Sequence, residues 1–328
     1  MIRFGIIGTN WITDSFLKAA GDLEDFKLAA VYSRTEEKGR EFADKYGVQT
    51  VFTDVEEMAK SEVVDAVYIA SPNSFHSKQA IMLMNHGKHV LCEKPLASNA
   101  GEVKDMIAAA KENKVVMMEA LKSTMLPGFK AIQECLPRIE TIRRYVGNYC
   151  QYSSRYDAYK EGNILNAFKP EFSNGALMDL GTYCIYPLVV LFGKPLTVKA
   201  SGIMLESGVD GEGSVLLTYE SMEAVITYSK ITDSFLPSEI QGEKGSIVID
   251  RIHTPEKVEI RLRGGSTEEV SRTADHEPMY YEAKEFISLI QQGKLESDIN
   301  SHSNSLTVME IMDEIRSQIG VVYPNDSK

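Results

Sequence analysis

The sequence predicts an α/β protein in which an N-terminal doubly wound parallel sheet is followed by an α+β domain with a large, mostly antiparallel open sheet. Strand-like and helix-like segments alternate through the first third of the chain, which is typical of a parallel sheet covered by helices. From about residue 143, strand-like runs follow one another with turn residues between them. The 328 residues suffice for two domains, and we place these at 1–121 and 122–328.

The elements of the first domain follow from the spacing of its apolar residues. Buried strands are predicted by the runs "IRFGIIG", "KLAAVYS", "VDAVYIAS", "HVLCE" and "VVMMEA". Between them, helices are predicted by "DSFLKAAGDL", "EEKGREFADKYG", "SKQAIMLMNHG" and "AGEVKDMIAAAKENK". Gly47 closes the second of these helices.

The second domain is predicted to be a sheet, with one helix between its strands and two helices after them. Strands are predicted by "RRYVGNYCQYSSRYDAY", "LTVKASGIML", "GSVLLTYE", "AVITYSK", "SEIQGEKGSIVID" and "KVEIRLR". Helices are predicted by "NGALMDLGTYCIYPLVVLF", "YYEAKEFISLIQQG" and "NSLTVMEIMDEIRSQIG". The sequence contains neither an internal repeat nor a low-complexity linker.

Composition and charge argue for a small soluble ligand. The formal net charge is -12 and the basic residues are scattered, so we expect neither nucleic acid nor a membrane as partner. No apolar run is long enough to predict a membrane span, and the N-terminus lacks the features of a signal peptide. Four cysteines without a CxxC pair fit a reducing cytoplasm, and the histidines show no metal-ligand spacing.

The first turn, "GIIGTNWIT", is the candidate phosphate site of a dinucleotide. A Rossmann fingerprint has small residues at three positions, and here only Gly8 fits, with Asn10 at the second position and Thr13 at the third. Asn tolerates a positive φ, which keeps the turn possible. An ordinary turn with Thr13 or Asp14 near the helix cap is the alternative. If the turn does bind a dinucleotide, the contacts come from Gly8, Thr9, Asn10, Trp11 and Ile12.

Trp11 is the single tryptophan of the chain. Its ring either packs on the dinucleotide or serves as a hydrophobic staple onto the first helix.

The end of the second strand, "VYSRTEE", bears on which dinucleotide is bound. NAD sites place a carboxylate on the ribose hydroxyls, whereas an Arg accommodates the additional phosphate of NADP. Ser33 and Arg34 stand at the strand end, so NADP is favoured and NAD stays possible. In the alternative interpretation Arg34 is a solvated loop residue and Glu36 or Glu37 reaches the ribose.

A third strand end, in "HVLCEKPLAS", delivers two charged side chains. Glu93 and Lys94 follow the buried run, and Pro95 stops the strand there. In an open α/β sheet ligands bind at the carboxyl ends of the strands. Without its neighbours, however, a lysine before a proline is usually a solvated loop residue.

Three motifs together, "SPNSFH", "CEKPLA" and "GALMDLGTYCIYP", resemble those of the glucose-fructose oxidoreductase, inositol dehydrogenase and MocA family (Gfo/Idh/MocA). Their order and spacing match this family over essentially the whole chain. The segments "GALMDLGTYC", "YYEAKEF" and "IGVVYPND" are most similar to its branch of dimeric dihydrodiol dehydrogenases and NADP-dependent D-xylose dehydrogenases.

The resemblance implies an NAD(P)-dependent oxidoreductase. Such an enzyme transfers a hydride between a nicotinamide and an alcohol or carbonyl group of a sugar, a polyol or a vicinal diol. It implies Lys94, Tyr183 and Asp179 as catalytic residues. Along the ribose and nicotinamide it implies Ser71, Pro72, Asn73 and His76, for which a helix-start cap is the alternative role of His76. Glu93 then contacts a ribose or anchors its turn.

The chemistry of the three implied catalytic residues is consistent with a joint role in proton transfer. A phenol with an ordinary pKa of about 10 is a poor base at neutral pH, and a neighbouring Lys94 ammonium would lower the pKa of Tyr183. Asp179 and Tyr183 are four residues apart, so they share one face if the segment is helical. Many family members have His where Tyr183 stands. In the alternative interpretation Tyr183 is a core residue with its hydroxyl satisfied.

The sequence departs from the dihydrodiol branch at Lys122, Thr124 and Met125, where that branch has aromatic and Arg residues. This departure favours a polar sugar over an aromatic diol. Two other functions on the same fold stay open, namely a catalytically silent NADP(H)-binding regulator and an NAD-dependent glycosidase. Most predicted helices belong to the first domain, so one face of the second sheet has no helix to cover it. We therefore expect this face to pair with another copy of the chain, giving a homodimer or homotetramer.

Overall fold

The structure is a computed structural model, and it describes residues 1–327. The chain forms two compact units. The first contains Met1–Leu121 and His276–Leu306, and the second contains Lys122–Asp275 and the residues from Thr307 onward. The ten α-helices of the described residues are α1 Trp11–Ala20, α2 Glu36–Lys45, α3 Val55–Lys60, α4 Asn73–Asn85, α5 Ala100–Asn113, α6 Pro127–Cys135, α7 Tyr156–Lys160, α8 Thr182–Phe192, α9 Met279–Gln292 and α10 His302–Ile319.

The first unit is built on a parallel sheet of six strands. They are β1 Ile2–Ile7, β2 Phe26–Tyr32, β3 Thr50–Phe52, β4 Ala66–Ile69, β5 His89–Glu93 and β6 Met117–Ala120. Their order is β3-β2-β1-β4-β5-β6, so the order reverses between β1 and β4. This confirms the doubly wound sheet, and it puts the topological switch point where the first turn leaves β1.

The apolar pattern of the sequence explains most of these elements but not β3 and α3. Strands β4 and β5 are almost completely buried, as continuous apolar runs in a covered parallel sheet should be. By contrast, β3 has three half-buried residues at the edge of the sheet, and α3 has only six residues. Elements this short carry too little periodicity to be predicted.

Helix α9 belongs to the first unit, although the sequence analysis places its residues in the second domain. The ring of Phe286 in α9 packs on Phe4 of β1 with centroids 5.9 Å apart. Lys18 at the end of α1 pairs with Glu277 just before α9. The boundary after residue 121 coincides with a division between the units, but the chain returns to the first unit for His276–Leu306.

The second unit is built on an eight-stranded, mostly antiparallel sheet, which confirms the large antiparallel sheet predicted from the sequence. Its strands are β7 Ile142–Cys150, β8 Thr197–Met204, β9 Asp210–Thr218, β10 Glu223–Ser229, β11 Ser238–Gly242, β12 Gly245–Ile249, β13 Val258–Leu262 and β14 Thr267–Glu269. Their order is β14-β13-β12-β11-β7-β10-β9-β8. All neighbours are antiparallel except β7 and β10.

Two details of the second unit differ from the sequence prediction. The strand predicted across "RRYVGNYCQYSSRYDAY" ends at Cys150, and its last residues belong to the short helix α7. Within the described residues one helical segment, Pro170–Phe192, is by length and composition alone long and apolar enough to cross a membrane, which was not expected from the sequence. Its most apolar window is 72% buried in the folded chain, as a core helix is.

Candidate functional site

All the predicted cofactor-binding residues lie at one edge of the parallel sheet. They lie at the carboxyl ends of four strands: Gly8, Thr9, Asn10, Trp11 and Ile12 after β1, Ser33 and Arg34 after β2, Ser71, Pro72, Asn73 and His76 after β4, and Glu93 as the last residue of β5 with Lys94 after it. This is the edge at which open α/β sheets bind ligands, and it includes the switch point between β1 and β4.

The turn after β1 lies directly against the end of β4. Gly8 has φ +105°, and a Cβ atom at this position would lie 2.5 Å from the carbonyl oxygen of Ala70. The Asn10 side-chain amide donates to that same oxygen at 2.9 Å, and the Thr13 hydroxyl donates to the Gly8 carbonyl at 2.8 Å. Only glycine therefore fits at position 8, as the fingerprint requires.

Asn10 acts differently from the sequence expectation. Its φ of -115° is extended, so the turn does not use the tolerance of Asn for positive φ. Its side-chain oxygen instead caps α1 by accepting from the backbone amides of Ile12 and Thr13 at 3.0 and 3.4 Å. The cap is thus Asn10 itself, which replaces Thr13 or Asp14 as the capping candidates.

Trp11 begins helix α1 with a side chain that is 67% exposed. Such exposure disagrees with a hydrophobic staple, which would bury the ring against the helix.

The end of β2 presents one positive side chain directly after the strand. Ser33 is buried, whereas Arg34 is exposed. The carboxylate of Glu36, one of the two alternative ribose ligands, accepts from Arg40 one helical turn later at 3.0 Å. Arg40 also donates to the backbone of Gln49. The carboxylate of Glu36 therefore already forms an ion pair within α2.

The turn that carries Lys94 is held by side chains from three neighbouring strands and helices. Glu93 is buried and accepts from the Tyr68 hydroxyl at 2.5 Å. One ring nitrogen of His76 lies 3.1 Å from the carbonyl oxygen of Pro95, and the other lies 2.8 Å from that of Ser71. His76 is completely buried, so it joins two strand-end turns and does not cap α4, whose N-cap is Pro72.

Glu119 provides the third contact to this turn, and the sequence analysis did not identify it. Its carboxylate accepts from the backbone amide of Leu96 at 3.0 Å. Burial raises the pKa of Glu119 to about 7, while hydrogen bonds from Ser305 and Leu96 lower it. Burial likewise lowers the pKa of His76. Lys94 itself is half-buried on this rigid turn.

In the second unit, Asp179 and Tyr183 lie on a helix that is not α-helical throughout. Residues Leu177–Gly181 form a π-helical turn, and α8 follows at once from Thr182. The sequence analysis expected a regular helix. The i→i+5 hydrogen bonds of a π-helix make one turn span between four and five residues. Asp179 and Tyr183, which are four residues apart, therefore still project in similar directions. Such turns occur mostly as single bulges within helices and often at functional sites.

Lys230 pairs with Asp179, and the sequence analysis missed it. The Lys230 ammonium donates to Asp179 Oδ2 at 2.8 Å. Lys230 directly follows β10, in the segment "AVITYSK", where a charge at the end of an alternating strand was the available signal.

The ring of Tyr183 packs against two other aromatic rings of the second unit. Tyr149 and His253 stack face to face with centroids 4.1 Å apart. The Tyr183 ring meets both edge-on, with centroid distances of 5.7 and 6.2 Å. An edge-to-face arrangement of this kind fixes a ring plane. Neither Tyr149 nor His253 was identified from the sequence.

Among residues 1–327, no three His, Cys, Asp or Glu side chains are grouped so that they could hold a metal ion.

Comparison with known proteins agrees with this architecture in both units. Residues 2–121 match a family model described as oxidoreductase family, NAD-binding Rossmann fold, and residues 139–248 match a model of the GFO/IDH/MocA C-terminal domain. A 3-ketoreductase from Actinomadura kijaniata, solved with NADP and TDP-benzene, has the same fold with a TM-score of 0.86 and 23% identity. The match covers 97% of this chain and 98% of that one.

Two curated relatives match nearly end to end. The scyllo-inositol 2-dehydrogenase (NADP(+)) of Bacillus subtilis is 59% identical, with 99% of each chain covered. The trans-1,2-dihydrobenzene-1,2-diol dehydrogenase of Xenopus laevis is 32% identical, with 98% of this chain and 99% of that one covered. The strand-end turns, the two sheets and these matches together show that the chain belongs to the Gfo/Idh/MocA family of oxidoreductases.

Proposed function

We propose that the protein is an NADP-dependent oxidoreductase that transfers a hydride between the nicotinamide and a CH–OH or carbonyl carbon of a polyol or sugar. The observation that carries the proposal is the gathering of Gly8, Arg34 and Lys94 at the carboxyl edge of one parallel sheet. A bound nicotinamide supplies the hydride acceptor or donor, and the protein supplies orientation and proton transfer.

The residues of the first turn fit a dinucleotide. Gly8 leaves no side chain between the turn and β4. Helix α1 starts at Trp11, so its positive end lies at the same edge, as anion sites at helix N-termini require. The exposed ring of Trp11 is available to pack on the cofactor.

Arg34 supports NADP over NAD. It is the positive residue that directly follows β2, and the carboxylate of Glu36 is engaged with Arg40. A free carboxylate there would repel a ribose phosphate, whereas a guanidinium binds phosphate through paired N–H donors. The name of the Bacillus subtilis relative also specifies NADP(+).

We assign proton handling to Lys94, Tyr183 and Asp179. Lys94 is fixed by the contacts of its turn with His76 and Glu119, and Tyr183 by its aromatic neighbours. A lysine and a tyrosine that are fixed in this way can hold and move the proton of a substrate hydroxyl.

For the substrate we propose a polyol of the inositol type. Nearly end-to-end identity of 59% to a scyllo-inositol 2-dehydrogenase supports it. The relative named for a dihydrobenzene diol is 32% identical, and the departure at Lys122, Thr124 and Met125 is from that branch. Thr124 is buried, so Lys122 and Met125 are the more exposed members of this trio.

The experiment that tests this proposal combines binding and turnover. NADPH and NADH are titrated separately against the emission of Trp11, and NADP+ reduction is followed with scyllo-inositol, D-xylose and trans-dihydrobenzenediol as probes. We expect tighter binding of NADPH and the fastest reduction with scyllo-inositol. Binding without turnover of any probe would favour the silent regulator, and product formation without net reduction of cofactor would favour the glycosidase.

We further propose that the protein is a cytoplasmic homodimer, or a tetramer of such dimers, paired through the open face of the second sheet. On that face Leu216, Val225 and Val146 lie side by side in register across β9, β10 and β7. Leu216 is 37% exposed, and the two valines are half-buried. The four cysteines are all unpaired thiols, which supports a reducing compartment.

Light scattering at micromolar concentration tests the assembly. We expect a dimer or tetramer mass for the wild type and a monomer for Val225→Glu, because the charge would be buried unpaired at the centre of the interface. Thr267→Glu, on the edge strand β14, is the matched control and should keep the wild-type mass. A monomeric wild type contradicts the assembly without touching the proposed chemistry.

A further inference from the structure

We propose that Lys230 is a positioning residue of the reaction, whose buried ammonium holds the Asp179 carboxylate in place on the π-helical turn. The inference rests on the proposed function, because it takes Asp179 as a working residue. It goes beyond that function by assigning a role to a lysine outside every motif of the site.

In this pair the lysine is buried and the carboxylate is partly exposed to solvent. The Lys230 side chain is 4% exposed, whereas that of Asp179 is 39% exposed. Besides Asp179, the ammonium lies 3.4 Å from the carbonyl oxygen of Ala167 and 5.2 Å from the centre of the Phe168 ring. The charge of Lys230 also acts on the buried carboxyl of Asp210, but the carboxylate to which its ammonium donates is the half-exposed one of Asp179.

A purely stabilising role does not explain this arrangement well. Burying an ammonium costs free energy that its interactions with nearby carboxyl groups hardly recover, and apolar replacements of buried pairs are often as stable. A buried charge that fixes the orientation of another group is the better explanation. The known use of such pairs is conformational specificity.

The backbone of the π-helical turn is held by the same hairpin that delivers Lys230. Asp210, at the start of β9, is completely buried and accepts from the Leu177 amide at 2.7 Å. Gly175 has φ +145°, and a Cβ atom there would lie 2.1 Å from Asp210 Oδ1. The glycine therefore allows the carboxylate to reach the start of the turn.

The end of the turn is closely packed as well. A Cβ atom at Gly181 would lie 2.9 Å from Leu177 and 3.2 Å from the Tyr228 ring of β10. Strands β9 and β10 thus fix both ends of the turn, and Lys230 fixes the side chain between them. A turn that departs from α-helical geometry needs such support, and this support orients Asp179.

A double-mutant cycle tests the inference. Lys230→Met, Asp179→Asn and the double variant are compared for kcat and for KM with NADP+ and scyllo-inositol. We expect each single variant to lower kcat about 10- to 100-fold, with the double variant no more than about threefold below the slower single one. The KM for NADP+ should change less than about twofold, because the cofactor residues are untouched.

The matched control is Lys194→Met, which removes an exposed lysine paired with Glu310 in the same unit. It should leave kcat unchanged. Circular dichroism and the NADPH titration verify the fold of each variant. If Lys230→Met does not fold, Lys230→Leu, which also removes the donor toward Asp179, replaces it with the same expected and contradicting results.

Wild-type kcat in the lysine variant, or single effects that multiply in the double variant, would overturn the positioning role. An unimpaired Asp179→Asn alongside an active wild type would overturn it as well. A wild type that turns over no probe contradicts the proposed function itself, and the positioning role falls with it. The two failures are therefore distinguishable by the wild-type assay.

Discussion

Lys94 shows how much of the structure supports a single functional group. Its turn is tied through Glu93 to Tyr68, through Pro95 to His76 and through Leu96 to Glu119. All of these partners are buried, so the lysine is held in place by the core of the unit.

Lys94→Met should lower kcat by about 100- to 1000-fold, because methionine keeps the unbranched shape and most of the length of the side chain but has no amine to hold a proton. The Kd for NADPH, measured by Trp11 fluorescence, should stay within about twofold. Lys111→Met, on the exposed side of α5, is the control and should behave as wild type. Wild-type turnover of Lys94→Met would remove this residue from the mechanism.

Tyr183→Phe should lower kcat by a similar factor, about 100-fold, because it deletes the phenolic proton and preserves the ring contacts with Tyr149 and His253. Steady-state kinetics measure the effect. Tyr149→Phe serves as a control that removes a hydroxyl from the neighbouring ring. If both variants turn over at the wild-type rate, Tyr183 is a packing residue.

Arg34→Ala should weaken NADPH about 10- to 100-fold and NADH less than about threefold, because only NADPH carries the ribose phosphate. Fluorescence titration with each cofactor gives the ratio. Lys27→Ala removes a positive charge from the opposite end of β2 and should change neither affinity. Equal losses for the two cofactors would make Arg34 a structural residue.

At the scale of single residues, the sequence predicted those functional groups that stand in short contiguous motifs. Gly8 and Lys94 could be found because their neighbours in the chain define a turn or a strand end. Lys230 and Asp210 could not, because each acts on a helix from a strand more than 30 residues further along the chain, and no local pattern records that contact.

At the scale of elements, the turn between β1 and α1 combines a special backbone with close packing. Gly8 and Gly47 both have positive φ, but only Gly8 has neighbours within van der Waals distance of an added Cβ. Alanine substitutions at these two glycines therefore distinguish the free-energy cost of a positive φ from the additional cost of a steric clash.

Gly8→Ala should lower the free energy of unfolding by more than about 3 kcal/mol, since it adds a steric clash to the backbone strain. Gly47→Ala should cost only about 1 to 2 kcal/mol, because conformation alone opposes it. Urea denaturation measures both, and Gly8→Ala should also weaken NADPH binding. Equal costs for the two variants would show that the β1 turn relaxes away from Ala70.

The π-helical turn marks the limit of prediction for elements. Residues Leu177–Gly181 show no local pattern that marks a π-helix, and the turn contacts the sheet through Asp210 at Leu177 and through Tyr228 at Gly181. Local periodicity cannot distinguish such a turn from an α-helix, because the deciding contacts are made by the tertiary structure.

At the scale of the whole molecule, buried carboxyl groups make stability depend on pH. Burial raises the pKa of Glu119 to about 7 and that of Asp210 to about 6. A raised pKa means that the folded chain holds these protons more tightly than the unfolded chain. Their contribution to stability is therefore complete below the ordinary carboxyl pKa and is lost as the pH rises through 6 to 7.

Glu119→Gln should accordingly raise Tm at pH 8, where the wild type must ionise a buried carboxyl, and change it little at pH 5. The amide oxygen of glutamine can still accept from the Leu96 amide. Scanning calorimetry at both pH values measures the difference, with Glu37→Gln on the surface of α2 as the control. A Tm shift of equal size at both pH values would point to packing in place of ionisation.

The path of the chain through its two units carries a consequence for biosynthesis. The first unit contains Phe286 and the rest of α9, so its final residue, Leu306, leaves the ribosome only when most of the protein has been translated. Until then Phe4 packs on Phe16 and Phe26 but lacks the ring of Phe286. The nascent chain therefore leaves part of the apolar surface of the cofactor-binding unit exposed until α9 has been synthesised, which is the condition in which chaperones bind.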